Sequence, residues 1–329
     1  MILECYVASS VTDTEKIAFI QRVLGQTSVS RDGRNVAVAC PSCRDAEKKK
    51  LAIRLDDWQF HCWVCGEKGR TLVPLLRKHS LPEVLSFYRE KFLGQVLAHT
   101  QSPGEIEDEP LALPEGFILL AEATERKDPD VRAALSYLSR RGVDLDLMWR
   151  FKLGLCSSGR FRRRIIMPSF DEHGDLNYFV ARTIDSVTPK YLNCNANKRR
   201  MIFNDISIDW DKPVTVCEGP FDLMKCDRNT TCLLGSSLSE DSLLFKKIVA
   251  NETPVILALD ADMQKKTQQF ASTLSSYGCD VKILDLCGKK DVGEMTTSEF
   301  LSAKDSANAW KQKDYMMFKI GLIRSASLL

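Results

Sequence analysis

"VTVCEGPFDLMKC", Val214 to Cys226, decides the fold. A strongly β-forming run, Val214 to Cys217, stops at Glu218-Gly219 and gives way to a helical pattern in which Asp222 follows Glu218 by one turn. Buried strand ends ordinarily carry apolar side chains, so two carboxylates at this junction call for a chemical reason. The arrangement recurs in "PVILALDAD", Pro254 to Asp262, where a second apolar run ends in Asp260 and Asp262. Two strands are expected to bring acids to one place.

From Pro213 onward the pattern is regular. Strand "PVTVCEG", helix "FDLMKCDR", strand "TTCLLGSS", helix "SEDSLLFKKIVA", strand "VILALDAD", helix "KKTQQFASTLSSYG" and strand "CDVKILDL" follow one another. Such alternation predicts an α/β core, a parallel sheet covered by helices. In sheets of this kind functional residues collect beyond the carboxyl ends of strands. Glu218, Asp260 and Asp262 lie at such ends, and Asp291 in "GKKDVGEM" follows the last strand. Any one of them is equally well read as a helix cap. Together they would repel and raise one another's pKa, so their convergence predicts divalent cations, and an all-oxygen ligand set favours Mg²⁺ or Mn²⁺. Gly219 lets Glu218 point out of the sheet edge, and Asp222 either supports the metal ligands from behind or caps the turn.

Net charge is only +2 and the pI is near 7.9, so any basic surface must be local. It lies between 159 and 203, in "GRFRRRIIMPSFDEHGDLNYFVARTIDSVTPKYLNCNANKRRMIF", which holds Arg160, Arg162, Arg163, Arg164, Arg182, Lys190, Lys198, Arg199 and Arg200 among strand-like alternation. Arginine and lysine on one face of short strands would form a groove for a nucleic-acid backbone or a triphosphate, with Tyr191 and Asn193 for sugar or base contacts. The plainer reading is a solvated charged face.

The N-terminal third carries "CPSC", Cys40 to Cys43, and "CWVC", Cys62 to Cys65, with 18 residues between the pairs. That spacing is the pattern of a four-cysteine zinc site, and "KLAIRLDDWQFHC" alternates like a hairpin returning one knuckle to the other. Four thiolates close a tetrahedron and leave no position for water, so the metal is expected to be structural and to fold a β zinc ribbon. Trp58, Phe60 and Trp63 stack on unpaired bases or pack against the small core, and His61 is expected at the surface. The other eight of the twelve cysteines are scattered singly, as buried thiols of a reducing compartment are.

A chain of 329 residues, 44% hydrophobic, can bury a sizeable core and suits two or three domains. No run of about 18 apolar residues occurs and "MILECYVASS" lacks the features of a signal peptide, so no membrane span and a cytoplasmic location are expected. No G-x-x-x-x-G-K-[ST] occurs, which argues against a P-loop motor. Composition shifts divide the chain into a zinc-ribbon domain with following helices (1–98), a Pro/Gly/acid-rich linker (99–116), a mixed α+β basic subdomain (117–212), the parallel-sheet core (213–305) and a C-terminal helical tail (306–329).

The ordered set of zinc ribbon, "YLSRRGVDLDLMWRFKLGL", "RFRRRIIMPSFDEHG", "VARTI", "PKYLN", the EGxxD of Glu218 to Asp222, "LLGSS" and the DxD of Asp260 to Asp262 resembles the bacterial-type DNA primases with a Toprim catalytic domain. The likeness is to the stand-alone or helicase-fused primases of bacteriophages in particular, whose zinc ligands are often four cysteines. It implies a Toprim-type sheet, RNA primer synthesis on a single-stranded DNA template from ribonucleoside triphosphates, and a replicative helicase on a separate chain. For a phage-encoded protein the site of action is the host cytoplasm. Glu218, Asp260 and Asp262 become the catalytic metal set with Asp291 beside them, and Arg162, Arg164, Arg182, Lys190, Tyr191 and Asn193 become nucleotide or DNA contacts. Two motifs depart from the family pattern: "IFND" stands where "FHKG" is usual, and "KDVG" where "KDPD" is usual, with Gly293 in place of the second aspartate. The rival readings are a non-catalytic zinc/Toprim protein of recombination or replication initiation, and a Toprim topoisomerase or nuclease, for whose further domains the chain is short.

Overall fold

The computed structural model describes residues 11–43, 49–93, 111–123 and 127–326, so the expected linker falls outside the described residues up to 110. The chain divides into two compact units, one of residues 1–103 with 272–280, the other of 104–271 with 281–329.

The first unit holds an antiparallel sheet in the order β1 (Ser28–Val29), β2 (Asn35–Val38), β3 (Leu51–Arg54), β4 (Phe60–Cys62) and β5 (Lys68–Gly69). Alternation puts Val36, Val38, Leu51 and Ile53 on one buried face, and pairing Val36 with Ile53 and Val38 with Leu51 keeps them in register. Helix Asp13–Leu24, opened by a Thr12/Glu15 capping box, lays Phe19 and Ile20 into this core. Trp58 and Phe60 are core residues, with Trp58 edge-on to Phe19 and Tyr88, while Trp63 is 73% exposed. The aromatic trio of the ribbon therefore divides into two packing residues and one surface residue.

The second unit is built on two sheets. One is antiparallel, β6 (Phe117–Leu119), β7 (Gly154–Cys156), β8 (Arg164–Phe170) and β9 (Leu176–Thr183) in sequence order. The other runs β11 (Thr230–Cys232), β10 (Val214–Cys217), β12 (Val255–Ala258), β13 (Val281–Ile283) and β14 (Asn308–Ala309). Its first four strands are parallel and β14 is an antiparallel edge. Every residue of β10 and β12 is buried, which is why β12 reads as an unbroken apolar run and β10 as one interrupted only by the small Thr215. The expected helix over "FDLMKCDR" is one 3-10 turn, Asp222–Met224, ahead of β11 at Thr230. The other crossovers carry helices Leu243–Asn251 and Gln264–Ser276, of which residues 272–276 are counted with the first unit.

Candidate active site

Parallel pairing sets Cys217 opposite Ala258, so the residues that leave β10 and β12 emerge side by side. One ligand oxygen from each of Glu218, Asp260 and Asp262 lies within 4.8 Å of the others. Capping does not account for the first two. Asp260 makes no side-chain bond to the turn Ala261–Met263, and Glu218 Oε2 and Asp260 Oδ1 are buried without a hydrogen-bond partner. Asp222 and Asp291 do cap: Asp222 accepts from the Gly219 N–H at 3.0 Å, closing the EGxxD turn, and Asp291 accepts from the Glu294 N–H at 3.0 Å. A buried carboxylate oxygen without a donor is costly, and a hard cation would satisfy it, so the donor set fits a divalent ion held through oxygen. Asp291 and Asp222 line the same cleft. Between them sits Gly293, where a Cβ would lie 3.0 Å from Asp222 Oδ1 and 3.0 Å from Asp291 Oδ1. Any side chain there would press on both carboxylates.

Crowding of acids shows in their titration. Burial first, then the charges of Glu218, Asp222, Asp291 and Asp262, push Asp260 up to about 7. Burial, reinforced by Asp291 and Glu218, pushes Asp222 up to about 6 against the pull of the Gly219 N–H, and Glu218 is also raised, by burial and then Asp262. Between the ordinary 3.8 and about 7 the folded state holds more protons at Asp260 than the unfolded chain, so its contribution to stability falls as pH rises through that window. A cation must displace those protons. Mg²⁺ or Mn²⁺ is therefore expected to raise the melting temperature more at pH 8 than at pH 6, in calorimetric scans over a metal titration. An equal shift at both pH values would contradict the cluster's role as ligand.

The same cleft, a cavity of about 770 Å³, is also lined by Arg182, Lys190 and Tyr191 together with Arg140, Arg141 and Lys225. The Arg182 guanidinium is held by two phenol oxygens, donating from Nε to Tyr137 Oη at 2.7 Å and from Nη1 to Tyr191 Oη at 2.6 Å. It also faces the Phe221 ring at 4.8 Å. Among the described residues neither Arg182 nor Lys190 forms an ion pair. A cation placed by neutral partners keeps its charge for an anion.

The rest of the basic run is divided by the fold. Arg162 and Arg163 pair with Asp130 at 2.8 and 2.6 Å, and Arg163, left-handed at φ 57°, also pairs with Asp185 at 2.7 Å. Arg164 is 8% exposed and donates to the carbonyl of Pro189 at 3.0 Å and those of Ala181 and Lys190 at 3.4 Å, so it holds the loop that carries Lys190. Asn193 does not line the cleft, and its Oδ1 is buried without a partner. The single basic face expected from the sequence is thus absent among the described residues: strand alternation and local carboxylates send neighbouring arginines to different partners. Sequence reasoning assigned no role to Arg140, Arg141 or Lys225. The signal was in "YLSRRG", a pair of arginines ending a helix just before a glycine.

In the first unit the four thiols of Cys40, Cys43, Cys62 and Cys65 converge, with Cys40 Sγ 3.8 Å from Cys65 Sγ and Cys43 Sγ 3.5 Å from Cys62 Sγ. These are close to the edges of a tetrahedron with zinc–sulfur bonds of about 2.3 Å, and too long for disulfides of about 2.05 Å. Burial pushes the Cys40 thiol up to about 12. At Cys62 burial is outweighed by the backbone N–H groups of Cys65 and Val64, which bring it down to about 7. The set fits zinc. Around it, Ser42 Oγ and His79 Nε2 are 2.6 Å apart and Lys78 Nζ donates to Glu67 at 3.3 Å.

No family model matches the chain. Among curated proteins it is similar to the DNA primase of Listeria innocua, at 22% identity over 90% of this chain and 56% of that protein. It is also similar to the DNA primase of Clostridium acetobutylicum, at 23% identity over 82% of this chain and 53% of that protein. The chain spans about half the length of the curated relatives it matches. Of solved structures, the zinc-binding and RNA polymerase domains of the Aquifex aeolicus primase align with 92% of this chain and 87% of that one, at 18% identity and a TM-score of 0.47. The resemblance to bacterial-type DNA primases runs through most of the chain.

Proposed function

We propose that this chain is a DNA primase that joins ribonucleoside triphosphates into short RNA primers on single-stranded DNA. One observation carries the reading: buried, unpartnered carboxylate oxygens of Glu218 and Asp260 line one cleft with Arg182, which forms no ion pair among the described residues. Acids and cations lining one cavity suit a cation–triphosphate complex. In this reading the β10–β14 sheet is a Toprim core, and Glu218, Asp260 and Asp262 hold Mg²⁺ or Mn²⁺ with Asp291 alongside. Divalent ions held by Glu218, Asp260 and Asp262 would supply activation of the attacking hydroxyl and stabilisation of the charge on the leaving pyrophosphate. Arg182 and Lys190 orient the triphosphate tail so that pyrophosphate leaves toward the basic wall. Arg162 and Asn193 would contact the template or sugar at the margin, and Arg164 would act by fixing the Lys190 loop. Zinc in the cysteine site serves template recognition by the ribbon.

The partners are then the template strand, ribonucleotides and a replicative helicase on a separate chain, and the place of action is the cytoplasm, the host's where a phage supplies the gene. The four-cysteine ligand set supports the phage assignment. No helix among the described residues is long and apolar enough to cross a membrane.

Primer synthesis from labelled ribonucleotides on single-stranded templates, with and without Mg²⁺, tests the reading. Template-dependent oligoribonucleotides that vanish on chelation are expected; their absence with every template at millimolar Mg²⁺ overturns it. Arg182→Ala and Lys190→Ala should each weaken triphosphate binding about tenfold and flatten its salt dependence, since each loses a phosphate contact. Arg164→Ala, whose guanidinium bonds only carbonyls, should lower the melting temperature and leave the salt slope as it is. Binding isotherms across a salt series decide between them.

A further inference from the structure

Tyr137 stands behind the basic wall rather than in it. It lies in the last turn of helix Pro129–Arg140, and it does not line the cleft. Yet it touches two of the three arginines that line the cleft, Arg182 and Arg141, which come from separate elements. Its hydroxyl accepts from Arg182 Nε at 2.7 Å, and the Arg141 guanidinium lies 5.2 Å over its ring. Lys225 completes the corner by donating from Nζ to the Arg141 carbonyl at 3.0 Å.

We infer that Tyr137 is a positioning residue that sets two phosphate-binding arginines at once, Arg182 through its hydroxyl and Arg141 through its ring. The inference rests on the nucleotide reading of the cleft. An arginine offers five N–H donors. With Nε given to Tyr137 and one Nη1 N–H to Tyr191, the other three remain, one on Nη1 and two on Nη2. They sit at the planar end that grips a phosphate through two parallel bonds. Without the Tyr137 hydroxyl the guanidinium would turn about its long stem, and the geometry would have to be restored at each binding event. Among the described residues no hydrogen bond or ion pair holds the Arg141 guanidinium. It is kept over the cleft by the π face of Tyr137, an attraction that a phenylalanine ring preserves and an aliphatic side chain does not.

The two roles separate by substitution. Phenylalanine removes the hydroxyl and keeps the ring; leucine removes both. Binding of a fluorescent ATP analogue with Mg²⁺ to the full chain is expected to weaken about tenfold in Tyr137→Phe and further in Tyr137→Leu. The apparent KM for ribonucleotides should rise in parallel while kcat changes little. Double-mutant cycles carry the decisive reading. Tyr137→Phe should be strongly non-additive with Arg182→Ala and additive with Arg141→Ala, whereas Tyr137→Leu should be non-additive with both. A merely structural tyrosine would lower the melting temperature and act additively with each arginine. That outcome, or wild-type affinity in Tyr137→Phe, overturns the inference and leaves the nucleotide reading standing. If the wild-type chain binds no triphosphate, the nucleotide reading fails first and the inference with it.

Discussion

Asp260→Asn is expected to abolish dinucleotide formation, a loss of at least about a thousandfold, while the protein keeps its fold and its affinity for single-stranded DNA. Glu218→Gln should match it, Asp262→Asn should follow, and Asp291→Asn should have a smaller effect because Asp291 lies outside the tight oxygen cluster and is partly occupied in capping. Asparagine keeps the shape of aspartate and removes the charge that draws the cation; a thousandfold corresponds to about 4 kcal/mol of transition-state stabilisation. A second readout separates this from simple damage. Asp260 is raised to about 7 by burial and by four neighbouring carboxylates, so its ionised form destabilises the metal-free fold. The amide should therefore raise the metal-free melting temperature at pH 8 and lose the stabilisation that Mg²⁺ gives the wild type. A variant that melts lower at pH 8 without metal, or that synthesises primers at near-normal rates in Mg²⁺, would show that Asp260 is neither crowded nor a ligand.

The acids were legible in the sequence because strand ends are. A buried parallel strand carries no charged side chain, so the residue at which "VTVC" or "VILAL" gives way to a carboxylate marks the sheet edge, and Glu218 and Asp260 stand there. The cysteines were legible for a similar reason, since a knuckle fixes the spacing within each pair. The basic wall was not. Its members come from the end of helix Pro129–Arg140, from β9 and from the loop after it, and nothing in linear order says which of Arg162, Arg163, Arg164 and Arg182 meets a carboxylate first. Asp130 and Asp185 claim two of them, backbone carbonyls a third. Only Arg182 is bounded by neutral phenols. Such a selection is made by tertiary neighbours. The 3-10 turn after β10 was hidden likewise, because such a turn, closed by Asp222, and a first helical turn look alike over four residues.

Removing zinc is expected to unfold the ribbon and to leave the second unit intact. Apparent binding free energies of structural zinc are about 10 to 16 kcal/mol, as large as the whole stability of an ordinary domain, so the cysteine end of the ribbon cannot hold its shape without the metal. Cys62 ends β4 directly opposite Leu51 of β3, and loss of the tetrahedron frees both strands. The second unit has its own core, from Leu120 and Val131 through Ile165 and Val180 to Phe203 and Leu223, and owes nothing to the cysteines. One zinc per chain should be found in freshly purified protein, and none in Cys40→Ser/Cys65→Ser. Hydrogen exchange should then lose protection over residues 35–69 and keep it over 164–183 and 214–258. Triphosphate binding should survive while template-dependent synthesis is lost, since every residue lining the cleft belongs to the second unit. Retained protection over 35–69 in the zinc-free variant would assign the ribbon's stability to the aromatic cluster of Phe19, Trp58, Tyr88 and Phe92 instead. Loss of protection in the second unit would mean that the two units fold as one, and that metal and cleft are energetically coupled.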